Sequence, residues 1–295
     1  MKRINEVYKP SKIKFIGKTK IISTKDGNFV IKPKNKNIKE LYDYLNIRDF
    51  NSYPQITDEV AEGYVYEHLK DIKVPINQKA SDMANLLSLL HNKTAYFKPI
   101  TADYIKKVHE DISNNIDYLE DYYTKLTENI KSETLMSPSN YLLIRNSTKI
   151  FSIFSFARSE IERWLREVQD QTKIRVVYCH NNLTIDHYIK NYDDYFISWD
   201  NYLIDSPVLD LINLYQKDYN KYDFSNFFEI YESRFPLNEA EKKLFFIVIS
   251  LPSEIKLGSD EFSNTTVVNN LLTYIYKTEN LIRPYYAPQD PKEQS

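Results

Sequence analysis

The sequence predicts an α+β chain in two lobes, a small β-rich N-terminal lobe followed by a larger, mainly helical one. Three observations carry this. Residues 20–25 and 28–34 are short β-branched and aromatic runs flanking Asp26-Gly27, the pattern of a hairpin. From about residue 79 onward, apolar residues recur at helical spacing instead. Charge divides in the same way: the first fifty residues hold thirteen Lys/Arg against five Asp/Glu, a net of +8, which leaves −10 for the rest of a chain whose formal net charge is −2.

In order along the chain, the hairpin carries Phe29-Val30-Ile31 as its core run, and Ile38, Leu41, Tyr42 and Leu45 fall on one face of a helix. Residues 63–67, Gly-Tyr-Val-Tyr-Glu, read as a strand leading out of a first lobe that spans residues 1–66. Residues 67–295 form the second lobe, the two together making one domain. Leu86, Leu87, Leu89 and Leu90 lie on a helix ending near His91. Ile105, Val108, Ile112, Ile116, Leu119, Tyr123, Leu126 and Ile130 hold a 3.6-residue period through seven turns. Ser137-Pro138 is an N-cap and N1 pair opening a helix that turns Phe151, Phe154, Ile161, Trp164, Leu165 and Val168 inward. A strand at 174–179 is followed by a turn at 191–194 and a partner strand at 196–199. Asn238 and Glu241 have capping-box spacing for a helix over 240–251, and 265–281 is the last helix, with a frayed tail after Pro284.

Composition narrows the function. Glycine occurs four times, at positions 17, 27, 63 and 258, where average usage of about 7% would give roughly twenty. That argues against a glycine-rich phosphate loop. The 25 tyrosines, with abundant Lys, Asn and Ile, give the look of an AT-rich coding sequence, which erodes glycine without functional cause. A near-neutral net charge gives no reason to expect a nucleic-acid partner, and no apolar run approaches the ~18 residues of a membrane span. The single cysteine, Cys179, excludes an internal disulfide, fits a reducing compartment, and sits in an apolar strand as a buried structural thiol. The charged start lacks the apolar stretch of a secretory signal, so the expected location is the cytoplasm. His68, His91 and His109 read as ordinary surface or helix-end residues. Tyr188, Tyr192, Tyr195 and Tyr202 crowd the motif region described next, as core filling or as stacking surfaces.

That region runs Cys179-His180-Asn181-Asn182-Leu183-Thr184-Ile185-Asp186-His187, then Phe196-Ile197-Ser198-Trp199-Asp200-Asn201, then Asp205-Ser206-Pro207-Val208-Leu209-Asp210-Leu211. The ordered set resembles the catalytic region of the aminoglycoside phosphotransferase and choline kinase branch of the protein-kinase-like superfamily, and within it most resembles the bacterial spore-coat kinase-like proteins. The branch pattern is His-Gly-Asp-Leu-x-x-x-Asn, a short hairpin, Ile-Asp-Trp-Asp/Glu, and Asp-x-Pro-x-x-Asp-Leu. Val30-Ile31-Lys32 is similar to the strand bearing the nucleotide lysine. Leu-Leu-x-x-Leu-His at 86–91 and the helix closing on Leu251-Pro252 are also typical, so the resemblance covers about residues 12–282. It implies a two-lobed protein-kinase-like fold with an ATP- and magnesium-dependent phosphotransferase ancestry.

Carried over residue by residue, the resemblance also implies lost chemistry. The general-base position is Asn182, the magnesium asparagine falls on His187, the metal aspartate falls on Ser198, and the catalytic-loop glycine is Asn181. The nucleotide loop near 16–22 has only Gly17. Lys32, Glu40 as its helix partner, His180, Leu183, Trp199, Asp200, Pro207 and Asp210 are retained. An amide cannot accept the proton of an attacking hydroxyl, a contribution of about 10²–10⁴ in rate, and magnesium prefers oxygen ligands, carboxylates above all. The expectation is therefore a pseudokinase acting as a binding or scaffold module, with no cofactor and with an unidentified protein or small-ligand partner. One alternative is an active phosphotransferase of hydroxyl groups that uses ATP and magnesium through a relocated metal site. There, Asp200 supplies the carboxylate, being on Ser198's face if the strand continues, or Asp186 substitutes for Asn182. A second alternative is a binder of some other small ligand in the interlobe cleft. Zinc at Cys179, His180 and His187 is disfavoured, because adjacent strand residues face opposite ways and there is no second cysteine.

Overall fold

A computed structural model describes residues 3–34 and 37–286; of the tail expected to fray after Pro284, Tyr285 and Tyr286 instead continue the last helix, and the rest lies outside the described residues. Two compact units result, one comprising Met1–Tyr96, Val176–Asp205 and Asn226–Phe235, the other Phe97–Arg175, Ser206–Ser225 and Pro236–Ser295.

The first unit begins with a short helix, α1 (Ile4–Val7), and then an antiparallel sheet of β1 (Lys12–Ile16), β2 (Thr19–Thr24), β3 (Gly27–Lys32), β4 (Ile56–Val60) and β5 (Gly63–Glu67), in spatial order β1-β2-β3-β5-β4. The hairpin turn is Lys25-Asp26, one residue earlier than the sequence pattern implies, because Thr24 and Gly27 already pair. The Thr24 hydroxyl closes the turn, donating to the Gly27 carbonyl at 3.0 Å and accepting from the Asp26 amide at 3.1 Å. Ile4, Ile22, Ile31, Val60 and Val65 form the core beneath the sheet. The helix α2 (Ile38–Ile47) buries Ile38, Leu41, Tyr42 and Leu45, the predicted face, and the Tyr53 hydroxyl donates to the Tyr42 carbonyl while the two rings stack at 4.1 Å.

The helix α3 (Ile76–Thr94) buries Leu86, Leu87, Leu90 and His91 and is followed by β6 (Tyr96–Pro99). His91 is not a surface residue: it is fully buried, and its Nδ1 lies 2.7 Å from the Tyr231 hydroxyl of a later helix.

The second unit is helical: α4 (Ala102–Lys131), α5 (Pro138–Arg145), α6 (Ser147–Val168), α7 (Val208–Asp218), α9 (Glu239–Ser250) and α10 (Glu261–Tyr286). The helix α8 (Phe224–Arg234) lies largely in the first unit. Ser137 caps α5 with Pro138 at N1, as expected, but that helix stops at Asn146, whose φ/ψ of −102°/4° leaves the helical region and whose side-chain Nδ2 donates to the Leu142 carbonyl. The apolar stripe from Ile150 to Val168 therefore belongs to a separate helix. It packs on Ile105, Ile116, Leu119 and Tyr123 of α4, and on Ile247, Val268, Leu271 and Ile275. Arg158 of α6 forks onto Asp117 and Glu120 of α4. Asn238 and Glu241 form the reciprocal capping box of α9, and Glu241 also takes a bidentate Arg175.

The strand β7 (Lys173–Cys179) pairs through its C-terminal half with β10 (Leu203–Asp205), in the register Leu203↔Cys179, Ile204↔Tyr178 and Asp205↔Val177. The expected partner at 196–199 pairs elsewhere: β8 (Tyr188–Lys190) and β9 (Asp194–Phe196) make their own two-stranded hairpin. Ser198 ends the extended run by adopting φ 69°, ψ 48°, and the chain enters a 3₁₀ turn at Trp199–Asn201.

Gly63 carries a constraint on the sheet. At φ +152°, a Cβ there would lie 1.9 Å from the Lys32 carbonyl oxygen, whereas a Cβ at Gly258 meets nothing within 4 Å. Gly63→Ala is expected to lower the unfolding free energy by at least about 2 kcal/mol, while Gly258→Ala stays within about 0.5 kcal/mol. Paired urea melts compare the two.

Candidate functional site

Lys32 is the last residue of β3, and its side chain leaves the sheet edge for the loop after β9. Its Nζ lies 3.0 Å from Asp200 Oδ2 and donates to Ser198 Oγ at 3.1 Å, with both charged side chains partly buried. Strand continuation does not place Asp200 beside Ser198, since no strand exists there. The left-handed Ser198 and the following 3₁₀ turn bring both side chains onto one ammonium. Glu40 lies on the exposed face of α2; among the described residues, Lys32 pairs with Asp200 and not with Glu40.

Behind this pair the loop is held from within. Trp199 is buried, donates its indole N–H to the Phe196 carbonyl at 2.8 Å, and packs between Phe50 and His180. The fully buried His180 has Nε2 2.8 Å from the Ile197 carbonyl. A carbonyl only accepts, so Nε2 carries the proton. Cys179 is buried with its Sγ 3.7 Å from the Asp205 carbonyl, the inert thiol that was expected.

Asn181 takes φ 56° and ties the loop across by donating its side-chain amide to the Asn201 carbonyl at 3.0 Å. Thr184 caps the 3₁₀ turn Ile185–His187. His187 Nδ1 lies 2.5 Å from the Asn182 carbonyl and must donate to it. The positions matching the general base and the metal asparagine are thus joined to each other through the backbone.

The hairpin of β8 and β9 is anchored electrostatically. Lys190 Nζ pairs with Asp82 at 3.0 Å and Asp194 at 2.9 Å. The Lys190 amide donates to Asp71, which also pairs with Lys79. Tyr188 is buried beneath, its hydroxyl pushed far up by burial and then by Asp194.

These residues border a cavity of about 500 Å³ within the first unit. Its sides are Ile16, Ile21 and Val30 of the sheet, Ile189 and Ile197 of the hairpin region, and Tyr42 and Tyr66. Lys32, Asp186, His187, Ser198, Trp199 and Asp200 face the same space, as do Glu67 and His68. Neither Asn182 nor Glu40 borders it, and of the four tyrosines singled out in the motif region none does; Tyr192 is almost wholly exposed. The tyrosines that do line it, Tyr42 and Tyr66, stand out in sequence only as members of a helix face and a strand. Burial raises both hydroxyls, with Asp200 adding to it, so they remain neutral. Pro207 and Asp210 belong to the second unit, where both are buried, Asp210 in the first turn of α7.

Magnesium fits the two matched positions poorly. It seeks charged oxygen ligands, but one position holds an imidazole, a nitrogen ligand, and the other a neutral hydroxyl that accepts from Lys32. Among the described residues, no three His, Cys, Asp or Glu side chains converge as a metal-holding group.

No family model and no curated protein matches the chain. Solved structures do. An aminoglycoside phosphotransferase from Alicyclobacillus acidocaldarius superposes with a TM-score of 0.69 at 10% identity, covering 93% of this chain and 91% of that one. An AMP-bound spectinomycin phosphotransferase gives 0.51 at 10% identity, over 97% and 93%. Choline kinase LicA from Streptococcus pneumoniae gives 0.49 at 14%, over 95% of each. The two phosphotransferase superpositions show that the protein has a protein-kinase-like α+β fold. More narrowly, it is the fold of the aminoglycoside phosphotransferases, which the motif order had implied.

Asn181 supplies a test of the loop. A β-branched residue is a poor occupant of positive φ, so Asn181→Val is expected to destabilise by about 1–3 kcal/mol. Asn181→Gly, which loses one hydrogen bond but relieves the backbone, should stay within about 1 kcal/mol. Thermal unfolding of the two variants distinguishes them.

Proposed function

We propose that this chain is a catalytically degenerate kinase-like protein that works as a binding module. The observation that carries this is the commitment of Lys32 to Ser198 and Asp200. The cation matching the nucleotide lysine is neutralised from within. The hydroxyl that replaces the metal aspartate accepts its hydrogen bond, and the base position presents an amide. Phosphoryl transfer relies on positioning and on metal-borne neutralisation of charge, and this arrangement offers neither a metal carboxylate at Ser198 nor a proton acceptor at Asn182. The cavity nonetheless stays open, which favours a small ligand as partner over a pure scaffold. No helix among the described residues is long and apolar enough to cross a membrane, and the lone buried thiol fits a cytoplasmic site of action. The spore-coat likeness stands on the motif residues alone.

One observation favours a second reading. Asp200 turns round to the side of Ser198 and borders the cavity with Asp186, so an active phosphotransferase with a relocated metal site would use these carboxylates.

Label transfer from ATP to aminoglycosides, choline or protein separates the two readings. Kinases turn over at about 1–100 per second, and this chain is expected to stay below about 1 per minute. Faster, magnesium-dependent transfer that is abolished by Lys32→Ala sinks the binding-module reading.

A further inference from the structure

The cavity that retains Lys32 is, in charge, the opposite of a polyphosphate site. Its border carries one lysine against three carboxylates, Glu67, Asp186 and Asp200, a formal −2 from these four side chains. The lysine's charge is already matched at 3.0 Å by Asp200. In a metal-using site such carboxylates are offset by divalent cations, but here the matched metal positions are an imidazole, a nitrogen donor that magnesium disfavours, and a neutral hydroxyl that accepts from the lysine. The rest of the wall is apolar or aromatic: Ile16, Ile21, Val30, Ile189 and Ile197, with Tyr42 and Tyr66 as neutral rings. Tyr66 is held neutral first by burial and then by Asp200, the same negative field that an anionic ligand would meet.

We infer that this cavity selects an uncharged or cationic, flat ligand about the size of a nucleoside and rejects nucleoside polyphosphates. The inference rests on the reading of the cavity as a binding site, and it adds the ligand class. Two unit charges about 6 Å apart, at an effective dielectric constant near 20, change a binding constant by roughly a hundredfold. An unscreened triphosphate therefore loses affinity that the apolar and aromatic wall gives to its nucleoside.

Matched probes test this on the full chain. Adenosine and ATP differ by the triphosphate, and proflavine is a flat cation; each is titrated by calorimetry with and without magnesium. Adenosine or proflavine is expected to bind at least about tenfold tighter than ATP, with magnesium changing the ATP affinity by less than about threefold. Asp200→Asn removes one negative charge and frees Lys32, so the ATP-to-adenosine affinity ratio should rise at least about tenfold. ATP binding tighter than both other probes overturns the inference. So does a fall in the ratio for Asp200→Asn, the sign expected for a metal held by Asp200. Failure of both adenosine and proflavine to bind overturns it too. Circular dichroism confirms that the variant is folded, and a second variant, Asp186→Asn, must move the ratio in the same direction. Phosphoryl transfer measured on the same samples reports separately on the catalytic reading, so the ligand class can fail while the binding module stands.

Discussion

The ion pair between Lys32 and Asp200 joins segments 168 residues apart in sequence, and much of the first unit serves to make it possible. Lys32 ends β3, whose place is fixed by ladders to β2 and β5 on either side. The approach of β5 is close enough that only a glycine fits at position 63. On the other side, Asp200 is delivered by a 3₁₀ turn seated on the buried Trp199. Replacing one partner by a neutral residue leaves the other charge half-buried and unmatched, which costs more than the pair contributes when intact. The pair is therefore a structural commitment as well as a chemical one, since the same contact that secures the loop removes the free cation.

The loop conformation explains how a chain so poor in glycine keeps this backbone. Asn181, which aligns with the glycine of the catalytic loop, occupies φ 56°, and Ser198 occupies φ 69°. Asparagine enters the left-handed region at modest cost because its short polar side chain bonds locally, as Asn181 does to the Asn201 carbonyl. The missing glycine in the motif thus altered chemistry less than its absence implied. At position 63 no such substitute exists, because the obstacle is a neighbouring carbonyl rather than a torsion.

Much of this was legible from sequence for identifiable reasons. The hairpin, α2, α4 and the α9 cap follow from local rules of period, turn and capping, which act within a few residues. The motif order pointed to the fold despite 10% identity to the solved structures. What local rules missed was long-range. The strand β7 pairs with Leu203–Asp205 on one side and β6 on the other, not with 196–199, because Ser198 leaves the extended region, a torsion no apolar pattern records. His91 lies in the last turn of α3 as the sequence implies, but it is a core residue and not a surface one, because its hydroxyl partner, Tyr231, lies 140 residues away. The cavity tyrosines came from α2 and β5 rather than from the tyrosine-rich hairpin, whose own ring at position 188 turns into the core.

The pattern of matches and mismatches to the kinase-like motifs divides largely by burial, the exposed Glu40 being a match that falls outside the division. His180, Leu183, Trp199, Pro207 and Asp210 match and are buried. Asn181, Asn182, His187 and Ser198 depart and are only half-buried. A buried motif residue is held by packing and by hydrogen bonds whose loss leaves a cavity or an orphaned polar group. The half-buried positions are held by fewer such contacts and answer mainly to whatever enters the site. Lys32 and Asp200 are half-buried yet matching, and they escape that logic because each satisfies the other. In a site walled largely by apolar and aromatic residues, any entering ligand meets the one bordering lysine already matched by Asp200.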